Sequence, residues 1–92
     1  MMDINTRDTI VLSDNNKYLV VSKINYNDNI YYYLIDEKNN ENIKFCCEKF
    51  ETNSFIEVEN ENLIKNLLPL FANATKDFFW NLILYHLLFH RT

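Results

Sequence analysis

The sequence predicts a single α+β domain over residues 1–92, an antiparallel meander of about five strands followed by two C-terminal helices packed on one face. Three observations lead there. Between residues 8 and 59, short runs alternate apolar and polar residues with period two, and Asn- and Asp-rich turns separate them. From Asn60 the apolar spacing lengthens to about 3.6, the period of a helix. From residue 76 to 90 the chain is apolar almost without interruption. Strands joined by short loops pair with their neighbours, so runs of strands followed by helices read as α+β. The 92 residues are 48% apolar and 15% aromatic, enough for one packed core.

Residues 1 to 7 are polar, and residues 8–12 hold a first short strand around Ile10 and Val11. Ser13 to Asn16 forms a turn. In the run from Lys17 to Tyr26, strict alternation puts Tyr18, Val20, Ile24 and Tyr26 on one face and Leu19, Val21, Lys23 and Asn25 on the other. The run Ile30 to Ile35, with Tyr31, Tyr32 and Tyr33 at its centre, is apolar on both faces and reads as the central strand. Two registers compete at the hairpin between these strands. A two-residue loop at Asp28-Asn29 sets Tyr26 opposite Tyr31 and Ile24 opposite Tyr33, whereas a three-residue loop sets Ile24 opposite Tyr32. The first is favoured because it gathers Tyr26, Ile24, Tyr31, Tyr33 and Ile35 on one face. Ile43 to Phe50 resumes the alternation after a polar turn, and Ser54 to Glu59 is the fifth strand.

In the segment 60–74, Leu63, Ile64, Leu67, Leu68 and Phe71 form one stripe of an amphipathic helix, with Asn60 as N-cap and Glu61 in the first turn. Pro69 removes the bond to the Lys65 carbonyl, at about 3 kcal/mol in a regular helix. Water can reach that polar side, so a kink or an early end is expected. Asn73 to Thr75 can cap a second helix over 76–90. On its wheel Phe78, Phe79, Trp80, Ile83, Leu87 and their apolar neighbours leave no clear solvent face, which suits burial or an interface. The run from Phe78 to Phe89 rises about 18 Å at 1.5 Å per residue, short of the roughly 20 residues that span a bilayer.

Function classes fall away in turn. The chain has no glycine, which excludes Gly-rich phosphate loops, and Asn15-Asn16, Asp28-Asn29 and Asn39-Asn40 take the turn positions that glycine would fill. A formal charge of -4 disfavours direct nucleic-acid binding, and tyrosines on a sheet without a basic surround read as core aromatics. Cys46 and Cys47 are adjacent, so as strand neighbours they point to opposite faces and remain free thiols. The first residues carry charge and no apolar run, which with the free thiols predicts a cytoplasmic protein. His86 and His90 share a helix face at i, i+4, but no third ligand accompanies them, and no metal or cofactor is expected.

The acidic positions Asp36, Glu37, Glu41, Glu48, Glu51, Glu57, Glu59 and Glu61 face only Lys38, Lys44 and Lys49 over the same stretch. They read as solvated surface and edge protection, or as a patch docking on a basic protein.

The pattern Ile10-Val11-Leu12, Lys17 to Val21, Tyr31 to Ile35, Phe55 to Val58 and the helix from Leu63 resembles the YrzB-like family of small acidic bacterial proteins of unknown function. That resemblance implies no catalytic residues. The chain departs from it in its glycine-free turns and in segment 76–90. Small size, acidity and a bias toward Asn, Ile, Lys, Tyr and Phe also resemble phage-encoded inhibitors of bacterial defence, anti-CRISPR proteins among them. The expectation is a non-enzymatic protein-binding module that blocks a basic, nucleic-acid-handling partner through the acidic set. The alternative is a homodimerisation module assembled through Phe78, Phe79, Trp80, Ile83 and Leu87.

Overall fold

A computed structural model describes residues 3–74, which form a five-stranded antiparallel sheet and one helix. The strands are β1 (Thr9–Val11), β2 (Lys17–Tyr26), β3 (Asn29–Asp36), β4 (Ile43–Lys49) and β5 (Ser54–Glu57), and the helix is α1 (Glu61–Ala74). Sheet order follows chain order, as short connections between antiparallel neighbours require. The expected second helix over 76–90 lies outside the described residues. Among those described, no helix is long and apolar enough to cross a membrane.

Two cores flank the sheet. On one side Leu67 and Phe71 of α1 close over Val21, Ile24, Tyr31, Tyr33, Ile35 and Cys47. Tyr33 meets Phe71 and Phe45 edge-on, with ring centroids 5.8 and 5.0 Å apart, geometry that favours aromatic pairs by about 0.5 to 1.5 kcal/mol beyond burial. On the other side, away from α1, Tyr18, Val20, Tyr32, Leu34 and Cys46 form a second buried cluster. Among the described residues Ile10, Leu12 and Phe55, from the two margins of the sheet, pack against it. The sheet therefore curls, and β1 and β5 border one cleft.

Strict alternation along β2 does not hold. Val20 pairs with Leu34 and Ser22 with Tyr33, which leaves Val21 as an extra residue in a β-bulge. A bulge resets the parity of everything beyond it. Tyr18 and Val20 consequently face the core on the side away from α1, while Ile24 and Tyr26 join the core under α1. Ser22 also turns toward α1, and its buried hydroxyl donates to the Phe71 carbonyl at 3.1 Å, satisfying one acceptor of the last helical turn.

The hairpin register is also corrected. The turn residues are Asn27 and Asp28, so Tyr26 pairs with Asn29 and Ile24 with Tyr31. Both turn residues have left-handed backbones, φ 50° and 64°, the conformation that a two-residue turn matched to strand twist demands. Tyr26, Ile24, Tyr31, Tyr33 and Ile35 still share a face, because sliding by two residues preserves parity.

In α1, the Asn60 side-chain oxygen accepts from the Leu63 amide at 3.0 Å, an N-cap. The helix runs through Pro69 to Ala74, so of the two outcomes expected at Pro69, a kink or an early end, the early end does not occur. Lys65 is exposed, so water reaches the carbonyl that Pro69 leaves unbonded. Leu67 and Phe71 are fully buried, Leu63 and Ile64 half-buried, and Leu68 lies at the exposed margin of the stripe.

Candidate functional site

The meander divides the acidic residues. Because β4 and β5 run in opposite directions, the β3–β4 turn and the residues after β5 lie at the same end of the sheet, together with the β1–β2 turn. Glu37, Glu41, Glu57 and Glu59 are exposed toward that end, and Glu61 opens α1 just beyond. Glu51 is exposed in the β4–β5 turn at the opposite end. Asp14, which the sequence offers only as a turn residue, joins the first group through the β1–β2 turn.

Two of the eight are interior. Asp36, 6% exposed, accepts from the Lys38 amide at 2.8 Å and the Asn42 side-chain amide at 3.1 Å. Those two bonds, the Lys38 amide foremost, hold its carboxyl below the usual range for aspartate. Glu48, 2% exposed, accepts from the Tyr32 hydroxyl at 2.6 Å on the side of the sheet away from α1. Burial first, and then this carboxylate, push the Tyr32 phenol well above its ordinary pKa. Asp36 and Glu48 thus organise the interior, and the surface available to a partner belongs to the other six.

The cleft between the sheet margins has a volume of about 290 Å³. Val11 and Leu12 border it on one side, Phe55 and Glu57 on the other, and Lys44 and Cys46 of β4 form its floor. Lys44 crosses it. Its ammonium lies 3.4 Å from Asp14 Oδ2 and 3.4 Å from Glu57 Oε1, and 5.7 Å from the Tyr18 ring centroid. Burial works against the Lys44 charge, but the Glu57 and Asp14 carboxylates outweigh it and hold the pKa above normal. Asp14 also accepts from the Tyr18 hydroxyl at 2.6 Å and the Asn16 amide at 3.0 Å, which together lower its pKa. Two carboxylates therefore share one lysine at the mouth of the cleft, and one negative charge is left over.

This lining is poor in reactive groups. Burial raises the Cys46 thiol to about 11, so about one molecule in 10⁴ carries the thiolate at pH 7. Cys47 faces the core under α1 and is likewise raised by burial. Both cysteines are free and buried, one in each core, as adjacent strand positions require. Among the described residues, no three of His, Cys, Asp and Glu converge to hold a metal. His86 and His90, and the interface residues Phe78, Phe79, Trp80, Ile83 and Leu87, lie outside the described residues. Tyr18, Tyr31, Tyr32 and Tyr33 are buried in the cores, so these rings are not displayed for stacking on bases.

No protein-family model matches the chain, no curated protein is significantly similar to it, and no solved structure matches it.

Proposed function

We propose that the chain is a non-enzymatic protein-binding module whose acidic end docks on a basic surface of a larger protein, as an inhibitor of the anti-CRISPR type would on a nucleic-acid-handling site. One observation carries the reading: Asp14, Glu37, Glu41, Glu57 and Glu59, scattered in sequence, are exposed toward one end of the sheet. Lys17, Lys38 and Lys44 lie at the same end and offset part of that charge; the negative excess that is left steers association with an oppositely charged partner and opposes binding to phosphate backbones. The non-enzymatic part is supported by the cysteines, whose thiols burial keeps protonated.

Affinity purification with the tagged chain from bacterial lysate, followed by mass spectrometry, tests this. A partner with a basic nucleic-acid site is expected, released as salt rises from about 50 to 200 mM. Retention insensitive to salt, or unchanged when Glu37, Glu41 and Glu59 are all replaced by Lys, overturns the reading.

The second reading is a homodimer assembled through the apolar segment 76–90, to which exposed apolar side chains of α1 and β5 would add surface. Leu68 and Leu70 on α1 and Ile56 on the neighbouring strand are exposed on the side of the sheet that α1 covers. Sedimentation of the full chain as a monomer at micromolar concentration removes it.

A further inference from the structure

We propose that the opening between β1 and β5 is a strand-addition site, and that its occupant is an extended basic segment of the partner protein, lying antiparallel to both edges. The inference rests on the binding function proposed above and gives it a location.

Strand parity is the first argument. In an antiparallel meander of five strands the first and the last point the same way, so β1 and β5 cannot pair directly as an antiparallel ladder. A sixth strand running opposite to both matches each of them. The backbone supplies the groups for it. On either side of β1 the Leu12 amide donates to the Asn16 carbonyl and the Asp8 carbonyl accepts from Val20, so within β1 the even-numbered position bonds inward to β2; only ahead of the strand does an odd-numbered amide, that of Arg7, turn inward, to the Val20 carbonyl. Thr9 and Val11 therefore turn their amide and carbonyl outward. Val58 donates to the Phe45 carbonyl, and by the same alternation Phe55 and Glu57 turn theirs outward from β5. Edges left unpaired among the described residues are templates for an added strand.

The cleft selects among occupants. Its volume of about 290 Å³ lies at the lower limit of the roughly 300–1,000 Å³ that small-molecule sites occupy. A backbone with short side chains suits it better. Val11, Leu12, Phe55 and Cys46 offer apolar contact to alternate side chains. At the mouth, Asp14 and Glu57 share only Lys44 among the described residues, so a lysine or arginine on the incoming strand finds a carboxylate with charge to spare. A second copy of this chain, itself at -4, meets the same excess with the wrong sign.

The test is an amide-resolved NMR titration of the full chain with a blocked hexapeptide of alternating lysine and valine. Shifts centred on Thr9, Val11, Phe55 and Glu57 are expected. N-methylation of the valines should weaken binding at least tenfold. Val11→Pro removes an outward amide that β2 does not use, and should weaken binding several-fold with the melting curve unchanged. If Val11→Pro unfolds the chain, the N-methylated peptide alone decides. Equal binding of the N-methylated peptide, with shifts confined to Glu37, Glu41 and Glu59, overturns strand addition and leaves the acidic-surface reading standing. Equal binding of a glutamate-valine hexapeptide at the edges overturns the basic occupant. Shifts of the edge amides on concentrating the chain alone make the occupant a second copy and overturn the choice of partner. No response up to about 2 mM peptide overturns both readings.

Discussion

At the scale of single residues, the acidic side chains do two different jobs. Glu48 is buried on the side of the sheet away from α1, and its contact with the Tyr32 hydroxyl is a charge-assisted bond. Replacing Tyr32→Phe keeps the ring and removes the donor. A loss of about 1.5 to 3 kcal/mol is expected, the range for hydrogen bonds to charged groups, and urea denaturation measures it. Asp14 works at the surface. Its pKa is lowered from 3.8 in the folded chain, so its contribution to stability is fully present above that value. The contribution is lost as pH falls through the lower folded value, where the native carboxylate takes up a proton. Thermal melts between about pH 2 and 6 should therefore fall less steeply for Asp14→Asn than for the natural chain. Parallel curves would remove the Tyr18 and Asn16 contacts as the cause of the shift.

At the scale of elements, the turns and the bulge set the registers. Asn27 and Asp28 both occupy the left-handed region, where Asn and Asp are tolerated and glycine is preferred. Asp28→Gly should stabilise the β2–β3 hairpin by about 0.5 to 1 kcal/mol, read as a higher urea midpoint with unchanged slope; a lower midpoint would contradict the turn. The strands themselves were legible. Lys17–Tyr26 has the bounds that its alternation predicts, and Ile43–Lys49 stops one residue short of them. The Asn60 cap and the apolar stripe of α1 were equally open to reading, because each depends on neighbours within one helical turn. The bulge at Val21 was not. Val20, Val21 and Ser22 are all compatible with a strand, and nothing local records which of them lacks a partner on β3.

At the scale of the whole molecule, the curl of the sheet creates the candidate site. Lys44 on β4 ties the β1–β2 turn to β5 through Asp14 and Glu57, and thereby holds the two margins over Tyr18 and Cys46. Lys44→Ala should let those margins open while β2 and β3 stay paired. Hydrogen exchange at β1 and β5 should then accelerate several-fold with little change in the central strands. Uniform acceleration would mean that the pin supports the entire fold.

By itself the sequence determined the α+β class, the five strands, the capped helix, the glycine-free turns and the surplus of acidic residues. All of these follow from periodicity, composition or contacts a few residues long. Only the tertiary structure decided the face that Tyr18 and Val20 occupy, the Asn27-Asp28 register, the burial of Asp36 and Glu48, and the meeting of Asp14, Lys44 and Glu57. Each depends on partners brought together by sheet pairing and curl, such as Tyr32 and Glu48 sixteen positions apart. Local alternation has the same period whichever strand lies opposite, so it carries no record of those encounters.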